Sequence, residues 1–257
     1  MSKFLEVAKE AAFIGGGILK ENFKKVKKSD IESKGIKDFV TYVDKLSEER
    51  IRNHILKNFP DHAFLGEEDG KFGESEFTWV VDPLDGTKNY ICGFEIFAVS
   101  VALLQKNEPI VGVIYVPILD KIYWAEKGAG SYLNGEKIKV SNRPIEQAVV
   151  STGFPFRYVA ELDNYLDMLK KAMITFSGVR RPGAAAVDLA LVAEGVFDGF
   201  FEMKLSIWDI AAGVLLIQEA GGIYSNFEGG KDLSSGDVIA GGKEIYDVLY
   251  DIVRSSK

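Results

Sequence analysis

The chain has a single cysteine, Cys92, and only two histidines, His54 and His62, in 257 residues. One thiol excludes an intramolecular disulfide framework and fits a reducing compartment. So few imidazoles leave carboxylates to supply the ligands of any metal site. No apolar run approaches the roughly 20 residues that span a bilayer. The opening Met1-Ser2-Lys3-Phe4-Leu5-Glu6 is charged too early for a secretory hydrophobic stretch. Positive charge is not in excess either: the net charge is −7, which argues against a nucleic-acid surface. The one basic cluster, Lys24-Lys25-Val26-Lys27-Lys28, reads as a solvated helix end. Neither membrane nor nucleic-acid partners are expected, and a cytoplasmic location is.

What is present is enough apolar material, 47% of the chain, to bury a sizeable core as one large domain or two smaller ones. Phe4, Leu5, Ala8, Ala11, Ala12, Gly15, Ile18 and Leu19 recur at helical spacing. Ile31 to Lys34 suits a short strand. Leu46, Arg50, Ile51, Ile55 and Phe59 outline a second helix that Pro60 ends. Segments 97–105, 110–115 and 121–125 are β-rich, and Asn134-Gly135 carries a hairpin signal. The first half therefore reads as helices on a mostly antiparallel sheet. From Ala148 strands and helices alternate: strands at 149–151, 197–202 and 238–240, helices at 160–171, 184–194, 208–219 and 243–253. The expected class is α/β (α+β), in two parts, 1–144 and 145–257, divided near Asn142-Arg143-Pro144.

The densest chemistry lies in Asp82-Pro83-Leu84-Asp85-Gly86-Thr87, directly after the apolar run Trp79-Val80-Val81. Read as a tight acidic turn at the end of a buried strand, it holds two carboxylates that repel by roughly 4 kcal/mol at an effective dielectric near 20. Unless protonated or matched by cations, they destabilise the turn. A hard divalent cation such as Mg²⁺, which takes oxygen ligands and substrate phosphate, answers that need. Three further acidic motifs are ambiguous alone. Asp44, after Thr41-Tyr42-Val43, reads as a helix N-cap. Gly66-Glu67-Glu68-Asp69 reads as a solvated loop, with one carboxylate at a strand end and the others toward water. Asp209, in Ile207-Trp208-Asp209, reads as a complement to a helix dipole. His54 lies within a helix and is not expected to bind metal.

Co-occurrence decides the matter. Acidic motifs in the order Asp44, Gly66-Glu67-Glu68, Asp82 to Thr87 and Trp208-Asp209 resemble those of the inositol monophosphatase family, within the lithium-sensitive superfamily that includes fructose-1,6-bisphosphatases. The resemblance runs from the first helix to about Gly222. It implies a layered αβαβα sandwich, two or three Mg²⁺ ions and a homodimer. It implies metal ligation by Glu67, Asp82, the Leu84 carbonyl, Asp85 and Asp209. It further implies that Glu67 and Thr87 hold the attacking water, with Asp44 accepting from Thr87, that the Gly86 and Thr87 amides receive the phosphate, and that Asp85 and Asp209 also contact substrate. Gly183, Ala184, Ala185 and Glu202 are implied as contacts to sugar or inositol hydroxyls. Lys88 and Cys92 depart from the commoner family pattern, which bears on substrate preference, and Cys92 is expected to be a half-buried hydrophobe. Arg180-Arg181 suits either a phosphate contact or a subunit interface.

The reaction so implied is Mg²⁺-dependent hydrolysis of a small phosphomonoester by direct attack of water, a reaction very slow without a catalyst. Two metal ions roughly 3.5–4 Å apart are suited to it. Inositol 1-phosphate is the first expected substrate, then fructose 1,6-bisphosphate, then adenosine 3′,5′-bisphosphate. Two competitors stand. An Asp82 nucleophile of the haloacid-dehalogenase kind would pass through a phospho-aspartate. A binding role in RNA synthesis or ribosome maturation would not need the acidic site.

Overall fold

The computed structural model describes residues 2–35 and 38–256. Met1, which opens the charged N-terminal stretch, and the Lys28 side chain of the basic run lie outside the described residues. Helix α1 (Lys3–Asn22) starts at Ser2, whose hydroxyl accepts from the Leu5 amide, and buries the stripe Leu5, Ala8, Ala11, Ala12, Gly15 and Leu19. The basic run follows this helix instead of ending it, and Lys24 pairs with Glu95. A hairpin of β1 (Ile31–Gly35) and β2 (Asp38–Thr41) leads into α2 (Tyr42–Asn58).

An eight-stranded sheet follows from β3 (Ala63–Gly66), β4 (Gly70–Phe72), β5 (Phe77–Asp85), β6 (Ala98–Gln105), β7 (Glu108–Val116), β8 (Lys121–Glu126), β9 (Gly130–Leu133) and β10 (Glu136–Ile138), with α3 (Thr87–Cys92) between β5 and β6. The strand order is β10-β9-β8-β7-β6-β5-β3-β4, antiparallel except for the β3/β5 pair. The predicted Asn134-Gly135 hairpin joins β9 to β10, with both residues at positive φ.

The second part of the chain supplies β11 (Val149–Thr152), α4 (Leu162–Thr175), β12 (Gly178–Arg180), α5 (Ala185–Ala193), β13 (Gly199–Glu202), α6 (Ile207–Glu219), β14 (Ile223–Ser225), β15 (Val238–Gly241) and α7 (Lys243–Arg254). Its five strands run β12-β11-β13-β15-β14. Three apolar clusters reveal the stacking. One joins α1 and α2 to the first sheet through Val81, Val99, Val101 and Val113. A second joins the opposite face of that sheet, through Val80, Ala98 and Ala102, to α5, α6 and the second sheet. The third packs α4 and α7 on the outer face of the second sheet. Alternating residues of β6 thus feed two cores, as a sheet covered on both faces requires. The result is the expected αβαβα sandwich. The central helices sit close to the sheets because the facing residues are small. A Cβ on Gly112 of β7 would come within 2.8 Å of the Ala212 carbonyl of α6. Ser100 of β6 also bonds the Trp208 carbonyl at 3.1 Å, which pins the start of α6, and so Asp209, to the end of the first sheet.

Three strands of three residues, β4, β12 and β14, and the four-residue β2 went unforeseen; runs this short carry no readable period. The helix expected from Ala160 begins at Leu162, after a tight turn over 159–161. Cys92 is exposed, not half-buried, and its thiol donates to the Asn89 carbonyl at the C-terminal end of α3.

Candidate active site

The acidic segment is not the tight turn that its sequence suggests: β5 continues through Asp85. Asp82 lies opposite Ser100 and Asp85 opposite Ala98, so three steps along β5 match two along β6. The extra residue is a β-bulge at Pro83-Leu84, where proline's missing N–H costs no ladder bond. Its effect is chemical. In a regular strand, residues three apart face opposite sides; the bulge turns Asp82 and Asp85 to the same side. Asp82 Oδ1 accepts from the Leu84 amide at 2.9 Å and stabilises the bulge from within.

Asp209 completes the group. It is the third residue of α6 and forms a capping box with Ser206, whose amide donates to Asp209 Oδ2 at 2.7 Å. Carboxylate oxygens of Asp82, Asp85 and Asp209 all lie within 4.8 Å of one another. Asp85 Oδ2 also accepts from the Ala186 amide at 2.8 Å, at the start of α5, where the helix dipole favours an anion. Burial raises the pKa of all three above the carboxylate range. Glu67 then adds most to Asp82, Asp209 most to Asp85, and Glu67 most to Asp209.

Asp44 is not an N-cap. Thr41 is, and Asp44 is the third helical residue, in a capping box of the same form. Its Oδ2 accepts from the Thr41 amide and hydroxyl at 3.0 and 2.6 Å, while its Oδ1 accepts from the Thr87 hydroxyl at 3.3 Å. Burial moves the Asp44 pKa up to about 6, against the pull of the Thr41 bonds. Thr87 Oγ1 also lies 3.1 Å from the Leu84 carbonyl.

These groups open into a cleft of about 190 Å³ lined by Glu67, Asp82, Leu84, Asp85, Gly86, Thr87, Gly183, Ala184, Ala185, Glu202 and Asp209. Every residue expected at the site lines it except Asp44, which stands behind Thr87. Glu67 follows β3 and its amide bonds the Val81 carbonyl at 3.3 Å. Gly183, at φ +92, gives the turn into α5, and a side chain there would strike Arg181. Glu202 ends β13 beside Gly153, where any Cβ would collide with its carboxylate. Burial, then Asp209, pushes the Glu202 pKa to about 8, with Arg181 and Arg157 opposing. These arginines and Lys88 line the same cleft. Lys88 stacks on Phe156, and Arg181 on both Phe154 and Phe156.

His54 pairs with Glu10 at 3.0 Å, away from the cleft. The sequence reading missed Asp188, wholly buried in α5, its pKa raised by burial and then by Glu202. It also missed Glu48. The loop expected to be solvated is in fact tied down: the Glu68 and Asp69 amides donate to the Glu48 carboxylate, and Asp69 pairs with Arg52. A signal existed, since Asp44, Glu48 and Arg52 are spaced four apart and so share one helix face.

Residues 1–257, the whole chain, match the inositol monophosphatase family. The chain belongs to the inositol monophosphatase family. It is 53% identical over 256 residues, 99% of this chain and 96% of the relative, to the fructose-1,6-bisphosphatase/inositol-1-monophosphatase of Aquifex aeolicus. It is 40% identical over 262 residues to the Nus factor SuhB of Pseudomonas aeruginosa, covering 99% and 97% of the two chains. Among solved structures it superposes on the extragenic suppressor protein suhB of Bartonella henselae with a TM-score of 0.95, at 39% identity, over 98% and 99% of the chains. At the level of the inositol monophosphatase family the activity is a Mg²⁺-dependent phosphomonoesterase acting on sugar or polyol phosphates. The donor set here fits such an ion: three all-oxygen side chains, gathered on buried backbone and raised toward protonation by burial and by neighbouring acidic charge.

Proposed function

We propose that this chain hydrolyses a small phosphorylated polyol, inositol 1-phosphate first, in a Mg²⁺-dependent reaction with water as the nucleophile. The observation that carries this reading is the meeting, in one cleft, of the Asp82–Asp85–Asp209 group and Thr87, with Asp44 bonded to Thr87 from behind. Glu67, Asp82, the Leu84 carbonyl, Asp85 and Asp209 would hold two or three ions. When bound, Mg²⁺ lowers the pKa of a water and takes up charge on phosphoryl and leaving oxygens.

The rest falls to the chain. The Thr87 hydroxyl donates to Asp44 or to the Leu84 carbonyl, so its lone pair accepts from the attacking water and aims it. Asp44, raised to about 6, is a better base than an ordinary aspartate and takes up the proton through Thr87. Glu67, which lines the same cleft, would help hold that water. The Gly86 and Thr87 amides would receive the phosphate, and Glu202 with Gly183, Ala184 and Ala185 would meet the polyol hydroxyls. Asp82 is buried and tied to the Leu84 amide, which favours water over Asp82 as nucleophile. No phospho-aspartate should be trapped during turnover.

A bisphosphate is the second reading. Lys88, Arg157 and Arg181 at the cleft suit a further phosphate, and the Aquifex relative is named for both activities. A cytoplasmic homodimer belongs to the same proposal. No helix among the described residues is long and apolar enough to cross a membrane, and α4 exposes Leu162, Leu166, Met173 and Ile174. The deciding assay is phosphate release from inositol 1-phosphate, fructose 1,6-bisphosphate and adenosine 3′,5′-bisphosphate, with and without Mg²⁺. Mg²⁺-dependent release led by inositol 1-phosphate is expected. Release that ignores Mg²⁺, or none from any substrate, would overturn the proposal. A binding role in RNA synthesis or ribosome maturation would survive Asp85→Asn, and the hydrolase would not.

A further inference from the structure

Helix α2 touches three separate segments of the site along one face. Asp44 takes the Thr87 hydroxyl, Ser47 donates to the Pro83 carbonyl of the bulge at 3.2 Å, and Glu48 takes two amides of the loop that carries Glu67. The last contact has no local explanation. Glu48 is fully buried in the middle of a helix, where a carboxylate is costly unless matched. Its match is specific. Oε2 accepts from the Glu68 amide at 2.9 Å and Oε1 from the Asp69 amide at 2.7 Å. With both oxygens accepting from N–H groups, the carboxyl group is clamped by two donors. Gly66 completes the fit, because a Cβ there would collide with the Glu48 carboxylate. One turn further on, Arg52 pairs with the Asp69 side chain.

Glu67 lies between these anchors. Its own amide is held to Val81, the last apolar residue before the bulge, and the next two amides are held by Glu48. The direction in which its side chain leaves the backbone is fixed by those three bonds. Without Glu48, two consecutive amides would lose their partner, and the loop would be anchored on one side only.

We infer that Glu48 is a positioning residue for the cation site: it grips the backbone on the far side of Glu67 and thereby sets the affinity for Mg²⁺, with Arg52 in a supporting role. This rests on the proposed Mg²⁺-dependent reading, and it goes beyond it by assigning a task to a residue that lines no part of the cleft. Outer groups that orient metal ligands commonly change affinity by about 10- to 100-fold when removed.

The test is Glu48→Gln, close in shape, which turns one acceptor into an NH₂ donor facing an N–H. Mg²⁺ binding to the metal-free protein is measured by calorimetry, and amide hydrogen exchange is followed across 66–70 and across β6. The expected result is a Mg²⁺ affinity weaker by about tenfold, faster exchange at Glu68 and Asp69, and unchanged protection in β6. Affinity and local exchange equal to those of the unaltered protein would overturn the inference. A general loss of protection with no selective effect on 66–70 would also overturn it, since that is a packing role. If Glu48→Gln does not fold, Arg52→Gln carries the test, with a loss of about threefold expected, below the usual span for such groups, and no loss overturning it. If the unaltered protein binds no Mg²⁺ at all, the phosphatase reading itself fails and the inference with it, a result distinct from selective loss of the Glu48 effect.

Discussion

Asp44 and Asp209 occupy the same place in the same local motif. Each is the third residue of a helix, in a capping box with Thr41 or Ser206, and each gives one carboxylate oxygen to its own N-cap amide. Their surroundings then divide them. Opposite Asp44 the fold brings a hydroxyl, Thr87, with the Glu67 charge farther off. Opposite Asp209 it brings two carboxylates on a bulged strand. A capping box thus does two things at once: it steadies a helix start and presents the second oxygen at a fixed angle. Whether that oxygen handles a proton or a cation is decided by the element facing it.

The sharpest way to break the pair is substitution with asparagine, which keeps the oxygen needed by the box and removes the charge. Asp209→Asn should lower turnover of inositol 1-phosphate by at least about 10³, as should Asp85→Asn, with the far-UV circular dichroism unchanged. Turnover near the normal rate would refute the metal assignment. Asp44→Asn should cost less, about 10², in the range of a lost general base, and should leave Mg²⁺ affinity within about twofold. Equal Mg²⁺ weakening in both variants would erase the distinction. Glu202→Ala should reduce kcat/KM for inositol 1-phosphate by about tenfold, as for a lost hydroxyl contact, and spare a simple aryl phosphate. Equal losses on both substrates would remove Glu202 from polyol recognition. Last and smallest, Thr41→Ala and Ser206→Ala should each cost about 1 kcal/mol of stability, the usual value of an N-cap, read by urea unfolding.

Acidity gives a further handle. The folded-state pKa values of Asp44 and Glu202 are raised to about 6 and about 8, and the three clustered aspartates move the same way. The metal-free fold therefore binds protons more tightly than the unfolded chain. Its stability contribution from these groups is fully present below about pH 4, near the unfolded carboxylate values, and is lost as pH rises toward 8. Metal-free protein should melt at lower temperature at pH 8 than at pH 5, and Mg²⁺ should restore the difference. A melting temperature that rises across this window would show that the acids are not held as the structure places them.

Much of this was legible because the strongest signals are long or chemically loud. The Val-rich β5 and β6, the α1 stripe and the Asn134-Gly135 turn each state their structure locally. The acids could be picked out, but their convergence came from resemblance, since nothing in Asp82 to Thr87 alone tells a turn from a bulge. The bulge depends on pairing with β6, a partner beyond any local window. Glu48 was hidden for the same reason: its two amide partners belong to a loop about one helix away, and a glutamate in a polar helix looks solvated until that loop is in place. Cys92 was misjudged because α3 is a single short turn whose end faces water.

The most direct test of the central claim is calorimetric titration of the metal-free protein with Mg²⁺ at pH 7, repeated in two buffers of different ionisation enthalpy to count protons. Three carboxylates raised by burial and by neighbouring acidic charge, Glu67 included, should bind the cation and release protons as they do so. Binding without proton release, or no binding, would contradict an account in which Asp82, Asp85 and Asp209 form one cation site.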